Sequence, residues 1–305
     1  MKLDLSKKWV LGTSEKVFDQ EDLEEIWLDD NQLSEIPIAV FSLKMLKNLS
    51  LYKNYLQVLP EAIFKMPRLE RLNVSANKLD FLPKEIDQLK GLQILDLNHN
   101  QLKQLPETLG NLKNLRFLYL ANNGLSQLPQ GLHKLKNLLY LNITHNQFTS
   151  LPNWLEGLEH LLELRVYNND ISSFPNSLSD LRRLREIHAM HNQITALPTS
   201  LGALGSLRKL ILENNKLVTL PESLGELINL NELNLRSNRI IRLPETMGSL
   251  KNLRFLDLRD NDLRDLPSSL LNLHSLEKLD VRLNKNLKKP SWLKGLEDRG
   301  CTVFY

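Results

Sequence analysis

Few of the residue types that do chemistry in proteins stand close together in this sequence. Cys301 is the only cysteine, which excludes an internal disulfide and the four-cysteine zinc sites. Three histidines, His99, His145 and His191, recur at intervals of 46 residues, and His188 lies close to the last of them. Imidazole is a common metal ligand and a common general base. Whether these side chains meet depends on the elements that carry them.

Sequence motifs of the common enzymes are absent. The chain has no phosphate-binding G-x-x-x-x-G-K-[ST] loop, no G-x-G-x-x-G after a strand, no H-E-x-x-H zinc motif and no G-x-S-x-G nucleophile turn. We therefore expect no enzyme activity, no catalytic residues and no cofactor.

The charge and hydropathy of the chain narrow its class further. The formal net charge is only +3, because 39 lysines and arginines are nearly balanced by 36 aspartates and glutamates. This small excess of positive charge argues against non-specific electrostatic binding of nucleic acid. Lys2, Asp4, Lys7 and Lys8 interrupt the first apolar stretch, and no apolar run is long enough to span a membrane. We expect a cytoplasmic monomer without a membrane segment or secretion signal, although export by a non-standard route stays open.

Proline and asparagine reveal how the chain is organised. Twelve of the 13 prolines follow one another at a spacing of 23 residues, and an asparagine stands six positions before each of the twelve. Two ladders with one period indicate an internal repeat, from which only Pro67 stands apart. The prolines of the series are Pro37, Pro60, Pro83, Pro106, Pro129, Pro152, Pro175, Pro198, Pro221, Pro244, Pro267 and Pro290.

The repeat has a pattern that is known from other proteins. From Leu23 each repeat reads L-x-x-L-x-L-x-x-N-x-L-x-x-L-P-x-x-L-x-x-L-x-x, and twelve repeats fill about nine-tenths of the chain. This resembles the leucine-rich repeat family, in its 23-residue intracellular type with Leu-Pro in each coil. That type occurs in Scribble-like and Ras-pathway scaffolds, in plant Ras-group-related repeat proteins and in many bacterial proteins. The resemblance implies a protein-binding scaffold, with a small GTPase or another signalling protein among the candidate partners.

The residues themselves predict the same architecture. Leu118 and Leu120 alternate with outward residues, as in a short strand with one buried face. The asparagine follows where the chain turns and can satisfy buried loop groups, and Pro129 then fixes φ at the start of a short helical turn. Because no repeat buries its leucines alone, the repeats must stack. We predict an α/β fold, a right-handed solenoid or horseshoe with a concave parallel β-sheet and short helical or 3₁₀ turns on the convex side.

The ends of the chain depart from the repeat. We expect an N-terminal cap with a degenerate first coil over residues 1–22, because Leu3 and Leu5 keep the strand register while Lys8 replaces the ladder asparagine. Twelve repeats follow over residues 23–298, and residues 299–305 are predicted to form a capping edge strand. Cys301 is expected to be buried and apolar there, with a reactive thiol as the alternative.

This architecture keeps the histidines apart. His99, His145 and His191 share a column but lie two repeats from one another, about 10 Å along the sheet, which is too far for a shared metal ion. His188 and His191 are nearer, but no third ligand is evident. We predict no metal site.

The outward strand positions, the third, fifth and seventh of each repeat, form three columns that the fold does not require to be apolar. Aromatic and methionine side chains concentrate there in repeats four to eight, beside arginine and histidine, which is typical of a binding hot spot. Packing that only stiffens the sheet is the alternative, and we favour binding because the outer repeats lack such a cluster. The predicted partner-binding residues are Ile94, Phe117, Tyr119, Tyr140, Arg165, Tyr167, His188 and Met190.

Three arginines form a further column near the end of the chain. Arg236, Arg259 and Arg282 are predicted to lie about 5 Å apart on neighbouring strands. Asp257, Asp260 and Asp280 are close enough in sequence to supply countercharges, which favours a solvated array of ion pairs over an anion-binding site. An acidic ligand at this column stays open.

The sequence therefore predicts a non-enzymatic scaffold that binds a protein or peptide on its concave face. The alternative is a bacterial effector or adhesion factor that is exported without an ordinary signal peptide and binds host proteins.

Overall fold

The computed structural model describes residues 1–8, Phe18 and residues 22–305, and the chain divides into two compact units. Unit 1 runs from Met1 to Gln147, and unit 2 runs from Phe148 to Tyr305. Both units repeat one coil, in which a three-residue strand is followed by a tight turn, an extended segment and a short helical turn.

Each unit contains a parallel sheet whose strands follow one another in chain order. In the described part of unit 1 there are seven strands, β1 to β7, and unit 2, which is described throughout, has seven more, β8 to β14. The strands of unit 1 are Lys2–Asp4, Glu25–Trp27, Asn48–Ser50, Arg71–Asn73, Ile94–Asp96, Phe117–Tyr119 and Tyr140–Asn142. Those of unit 2 are Glu163–Arg165, Glu186–His188, Lys209–Ile211, Glu232–Asn234, Phe255–Asp257, Lys278–Asp280 and Thr302–Phe304.

Short helical turns form the opposite layer of each coil. The 3₁₀ turns in the described part of unit 1 are Ile38–Ser42, Lys84–Gln88, Glu107–Asn111 and Gln130–Lys134, and Glu61–Phe64 is an α-helix, α1. In unit 2 they are Asn153–Gly157, Asn176–Asp180, Thr199–Ala203, Glu222–Glu226, Glu245–Ser249, Ser268–Asn272 and Ser291–Leu293, and the last continues into helix α2, Lys294–Glu297.

Proline sets where the helical turns begin. Each proline of the series lies immediately before a turn, with φ between −54° and −73° and an extended ψ of 130° to 150°. The turn therefore starts one residue later than the sequence pattern predicted, because the proline itself still belongs to the extended segment. Its missing N–H costs nothing there, since the first N–H groups of a helix have no internal partner.

The core lies between the strands and the helical turns. The central residue of a strand, such as Leu118, and the turn leucines, such as Leu109 and Leu135, are completely buried. Burying one such side chain contributes about 1.5–3 kcal/mol, and each contact is shared with the coils before and after it. The predicted solenoid of parallel strands and 3₁₀ turns is thereby confirmed.

The coils approach one another so closely that some glycines are required. A Cβ atom added to Gly225 would lie 2.2 Å from the carbonyl oxygen of Thr246 in the next coil. Gly205, in contrast, has no atom within 4 Å of the corresponding position. Close backbone packing between successive helical turns therefore demands glycine at the first position and not at the second.

The first and the last strand each extend the sheet of their own unit. Strand β1 pairs with β2 so that Leu3 lies opposite Ile26, and the N–H of Lys8 donates to Asn31 Oδ1 at 3.0 Å. The remainder of the predicted N-terminal cap, residues 9–17 and 19–21, lies outside the described residues. Strand β14 pairs with β13, and Val303 lies opposite Leu279.

Candidate functional site

A ladder of buried asparagines fixes the turn that follows each strand. Asn77, which is 8% exposed, accepts a hydrogen bond from the N–H of Leu56 at 3.0 Å. Its side-chain amide donates to the carbonyl oxygens of Leu51 and Val74 at 2.9 and 3.1 Å. The same pattern recurs along both units, which confirms that the ladder is structural and holds the outward strand residues in a constant register.

The histidine column has a conformational cause. His99, His145 and His191 each stand directly before a ladder asparagine and have φ of 54°, 53° and 54°. A left-handed φ is uncommon outside glycine, and asparagine, aspartate and histidine adopt it more readily than most residues. The column therefore reflects the backbone of the turn rather than shared chemistry.

Four of the predicted partner-binding residues lie together on the outward face of the sheet in unit 1. The strand register places Ile94 opposite Phe117 and Phe117 opposite Tyr140, and Tyr119 lies on the same strand as Phe117. The ring centroids of Tyr119 and Tyr140 are 4.9 Å apart, and those of Phe117 and Tyr140 are 6.4 Å apart. All four side chains remain partly exposed. We call Ile94, Phe117, Tyr119 and Tyr140 the aromatic cluster.

A shallow depression borders the aromatic cluster. Its lining combines the apolar side chains of Ile94, Phe117 and Tyr119 with polar groups from Arg71, Asn73 and Asp96. Burial raises the pKa of Asp96 above its ordinary value, although a hydrogen bond from the N–H of Asn98 and the nearby His99 act in the opposite direction. The depression therefore offers an apolar floor, a cation and a carboxylate within one small area.

The other four predicted residues lie on the outward face of the sheet in unit 2. Arg165 and His188 are paired in the register of β8 and β9, and Tyr167 and Met190 follow these strands. All four are partly exposed. Charge and imidazole chemistry dominate this group, in contrast to the aromatic cluster of unit 1.

Two glutamates that the sequence analysis did not select complete the surroundings of His188. Its Nε2 lies 2.9 Å from Glu186 Oε2 and 3.9 Å from Glu163 Oε1, and Arg165 Nε lies 2.5 Å from the same oxygen of Glu163. The prediction of no metal site considered His188 only together with His191 and did not consider the nearby carboxylates. A Glu-x-His pair on one strand, beside a glutamate at the same position of the preceding repeat, was the available signal.

The arginine column of unit 2 is an array of ion pairs. Arg259 binds Asp257 and lies 3.5 Å from Asp280, while Arg282 lies 2.6 Å from the carboxylate of Asp280. Burial acts to raise the pKa of Asp280, but the hydrogen bonds and positive charge of Arg282 outweigh it and hold the pKa below its usual value. Arg236 lies 3.6 Å from a carboxylate oxygen of Glu213. The interpretation as interleaved ion pairs is thus supported by the contacts.

Cys301 is buried, as the sequence predicted. The residue is 6% exposed, and burial raises the pKa of its thiol. A raised pKa lowers the fraction of nucleophilic thiolate at neutral pH, which argues against the alternative of a reactive cysteine.

Within residues 1–8, 18 and 22–305, no helix combines the length and the apolar character needed to cross a bilayer.

Comparison with protein families matches most of the sequence to leucine-rich repeats. A model described as a leucine-rich repeat region matches residues 72–168 and 107–220, and a second, described as leucine rich repeat, matches residues 21–79 and 205–263. Together the matches span residues 21–263 without a gap. A search of curated proteins finds no match.

Solved structures of three kinds are similar to this chain. The leucine-rich repeat protein LIC12759 of Leptospira interrogans is 27% identical with a TM-score of 0.58, and the match covers 99% of this chain and 95% of that one. The plant peptide hormone receptor RGFR1, solved in complex with RGF2, is 29% identical with a TM-score of 0.75 over 94% of this chain and 50% of the receptor chain. An internalin, InlF of Listeria monocytogenes, is 20% identical with a TM-score of 0.72 over 96% and 88% of the two chains, a likeness of fold alone.

Proposed function

Because the chain belongs to the leucine-rich repeat family, we propose that it is a non-enzymatic scaffold that binds a protein or an extended peptide on the outward face of its sheet. The observation that carries the proposal is the aromatic cluster, Ile94, Phe117, Tyr119 and Tyr140, which stays partly exposed at positions where the repeat requires no apolar residue.

Part of the apolar surface of the aromatic cluster is exposed to solvent. The ring centroids of Tyr119 and Tyr140 lie 4.9 Å apart, which is consistent with the alternative that the rings pack across neighbouring strands. Their partial exposure nevertheless leaves aromatic surface in contact with water, and burial of this surface by a ligand is favourable. Exposed aromatic side chains of this kind are enriched among residues that dominate binding energy.

The depression beside the cluster indicates the chemistry of the ligand. An aliphatic or aromatic side chain of a peptide fits the floor formed by Ile94 and Phe117, while its polar groups face Arg71 and Asp96. An extended peptide satisfies both requirements when an apolar and a charged side chain stand two positions apart, since every second side chain points to the same side. In unit 2, a more polar surface for contacts is supplied by Arg165, Tyr167, His188 and Met190.

The repeat backbone favours such binding because it is already ordered. The buried asparagine ladder and the parallel sheet hold the outward side chains in register before a ligand arrives, so that association orders few protein groups. RGFR1, with 29% identity to this chain, was solved with RGF2 bound, and this precedent supports a peptide-type ligand. This chain spans half of that receptor chain.

Peptide display tests the proposal directly. Peptides selected on the unaltered protein are measured by fluorescence polarisation on a double variant, Tyr119→Ala with Tyr140→Ala. We expect affinity to fall by at least about tenfold, since two hot-spot aromatics together contribute well over 1.4 kcal/mol. Circular dichroism verifies that the double variant keeps its fold.

The matched control removes two tyrosines of the same unit that lie outside the cluster. Tyr52 and Tyr55 are 42% and 47% exposed, and their replacement by alanine should leave peptide affinity within about twofold. Equal binding by both double variants would place the peptide elsewhere and contradict the proposed surface.

A further inference from the structure

We propose that Glu163, Glu186 and His188 form a binding site for one divalent transition-metal ion of the zinc class in unit 2. Strands β8 and β9 pair so that Glu163 lies opposite Glu186, and His188 lies two residues beyond Glu186 on the same strand. Residues two apart on a strand point to the same face, so all three side chains reach the outward face of the sheet. The site shares His188 with the proposed contact surface of unit 2, but its test uses metal alone and requires no peptide.

The three ligand atoms are already spaced for coordination. One donor atom from each residue lies within 4.8 Å of the other two, and His188 Nε2 is 2.9 Å from Glu186 Oε2 and 3.9 Å from Glu163 Oε1. Donors at about 2.0–2.1 Å from a tetrahedral zinc ion lie roughly 3.3 Å from one another. The two observed distances lie on either side of this value, so small side-chain rotations bring the atoms to coordinating positions.

The donor set identifies the class of metal. One imidazole nitrogen with two carboxylate oxygens suits zinc and its neighbours in the first transition row, whereas calcium and magnesium prefer oxygen ligands throughout. The side chain of His188 is only 13% exposed, while those of Glu163 and Glu186 are 24% and 36% exposed. The imidazole is thus largely shielded from water, and the carboxylates leave one side of the site open to solvent.

Arg165 competes with the metal for the same carboxylate. Its Nε lies 2.5 Å from Glu163 Oε1, where it offsets a negative charge and occupies an oxygen that the metal would use. Metal binding therefore requires Arg165 to turn away or Glu163 to coordinate through its other oxygen. The proposal consequently predicts that removing this arginine strengthens metal binding, a direction opposite to that of an ordinary loss of structure.

Isothermal titration with Zn²⁺ after removal of bound metal by EDTA tests the site. We expect one equivalent to bind the unaltered chain, and the His188→Asn and Glu163→Gln variants to bind it weaker by roughly tenfold or more. The Arg165→Gln variant should bind it more tightly. Zinc binding by the unaltered chain no stronger than that of the His188→Asn variant would overturn the proposal.

Two matched controls separate this site from general surface binding. Glu232 occupies the same column as Glu163 and Glu186 and pairs with Lys209 at 3.3 Å, with Asn234 in place of the histidine. The Glu232→Gln and His191→Asn variants should therefore bind zinc as the unaltered chain does, and a loss in either would place the metal elsewhere.

Cobalt substitution supports the assignment without any mutation. X-ray absorption of the unaltered chain loaded with one equivalent of Co²⁺ should show one imidazole among otherwise oxygen ligands. Sulfur, or a second imidazole, in the coordination sphere would contradict the three-residue site. Thermal melting of each variant verifies that it is folded before binding is compared.

Discussion

Replacement of one ladder asparagine provides the sharpest test of how the repeats hold together. Asn77 accepts from the N–H of Leu56 and donates to the carbonyl oxygens of Leu51 and Val74, all within 3.1 Å and inside unit 1. In an Asn77→Ala variant the buried N–H loses its acceptor, at a cost of about 1–3 kcal/mol, and each carbonyl loses a bond worth about 0.5–1.5 kcal/mol. We therefore expect the free energy of unfolding to fall by roughly 2–6 kcal/mol.

An aspartate at the same position separates hydrogen bonding from space filling. Asn77→Asp keeps the acceptor for Leu56 but turns a second oxygen towards the carbonyl groups of Leu51 and Val74. It also buries a charge at a position that is 8% exposed. At neutral pH this variant should lose at least as much stability as the alanine variant.

Urea denaturation followed by far-ultraviolet circular dichroism measures both effects. The control is Asn114→Ala, because Asn114 is exposed and makes one bond to the carbonyl oxygen of Lys90 at 2.8 Å. Its free energy of unfolding should stay within about 0.5 kcal/mol of the unaltered protein. A loss below that level for Asn77→Ala, or greater stability for the aspartate than for the alanine, would refute the ladder argument.

Three further predictions concern glycine, a carboxylate and the thiol. Gly225→Ala should lower the melting temperature, because the added Cβ would lie 2.2 Å from a backbone oxygen. Gly205→Ala should leave the melting temperature unchanged, since no atom lies within 4 Å of its added Cβ. Equal melting temperatures for the two variants would contradict the close packing at Gly225. Because burial raises the pKa of Asp96 in the folded state, the charge of Asp96 lowers stability at neutral pH. The Asp96→Asn variant should therefore have a higher free energy of unfolding at pH 7. This gain should vanish as the pH falls below the pKa of an aspartate in the unfolded chain, about 4. A gain that persists at pH 3 would point to another cause. Cys301 should react slowly with a thiol reagent in the native protein and rapidly in urea, and fast native labelling would contradict its burial.

Most of the fold could be predicted because the same physical requirement recurs in every repeat. Leu118 and its equivalents must be buried, the asparagine must satisfy the turn, and proline must precede a helical turn, so one pattern read twelve times specifies strands, turns and stacking. The start of each turn differed by one residue because proline fixes φ but not ψ, and the ψ angle of the proline is extended in the structure. The pattern of residue types does not specify this ψ angle.

The outward face could be predicted only in part. The sequence places Phe117 and Tyr140 in one column and Tyr119 in the next, and the structure adds that the ring centroids of Tyr119 and Tyr140 lie 4.9 Å apart. The grouping of His188 with Glu163 depends on the rotamers of long side chains on different strands, for which the repeat pattern makes no demand. The partner-binding role of the eight outward residues selected from the sequence stays a prediction, since surface composition favours binding without identifying a ligand.

The asparagine ladder also affects the order in which coils are completed during synthesis. From Asn54 to Asn284, each ladder asparagine accepts from an N–H that lies 21 residues earlier in the chain, as Asn77 does from Leu56, so a coil is closed by the coil that follows it. During synthesis at about 5–20 residues per second, the newest loop would wait roughly 1–4 s for its acceptor. A ribosome that stalled between repeats would therefore expose one open loop, and chaperones would meet that same kind of loop at every step of elongation.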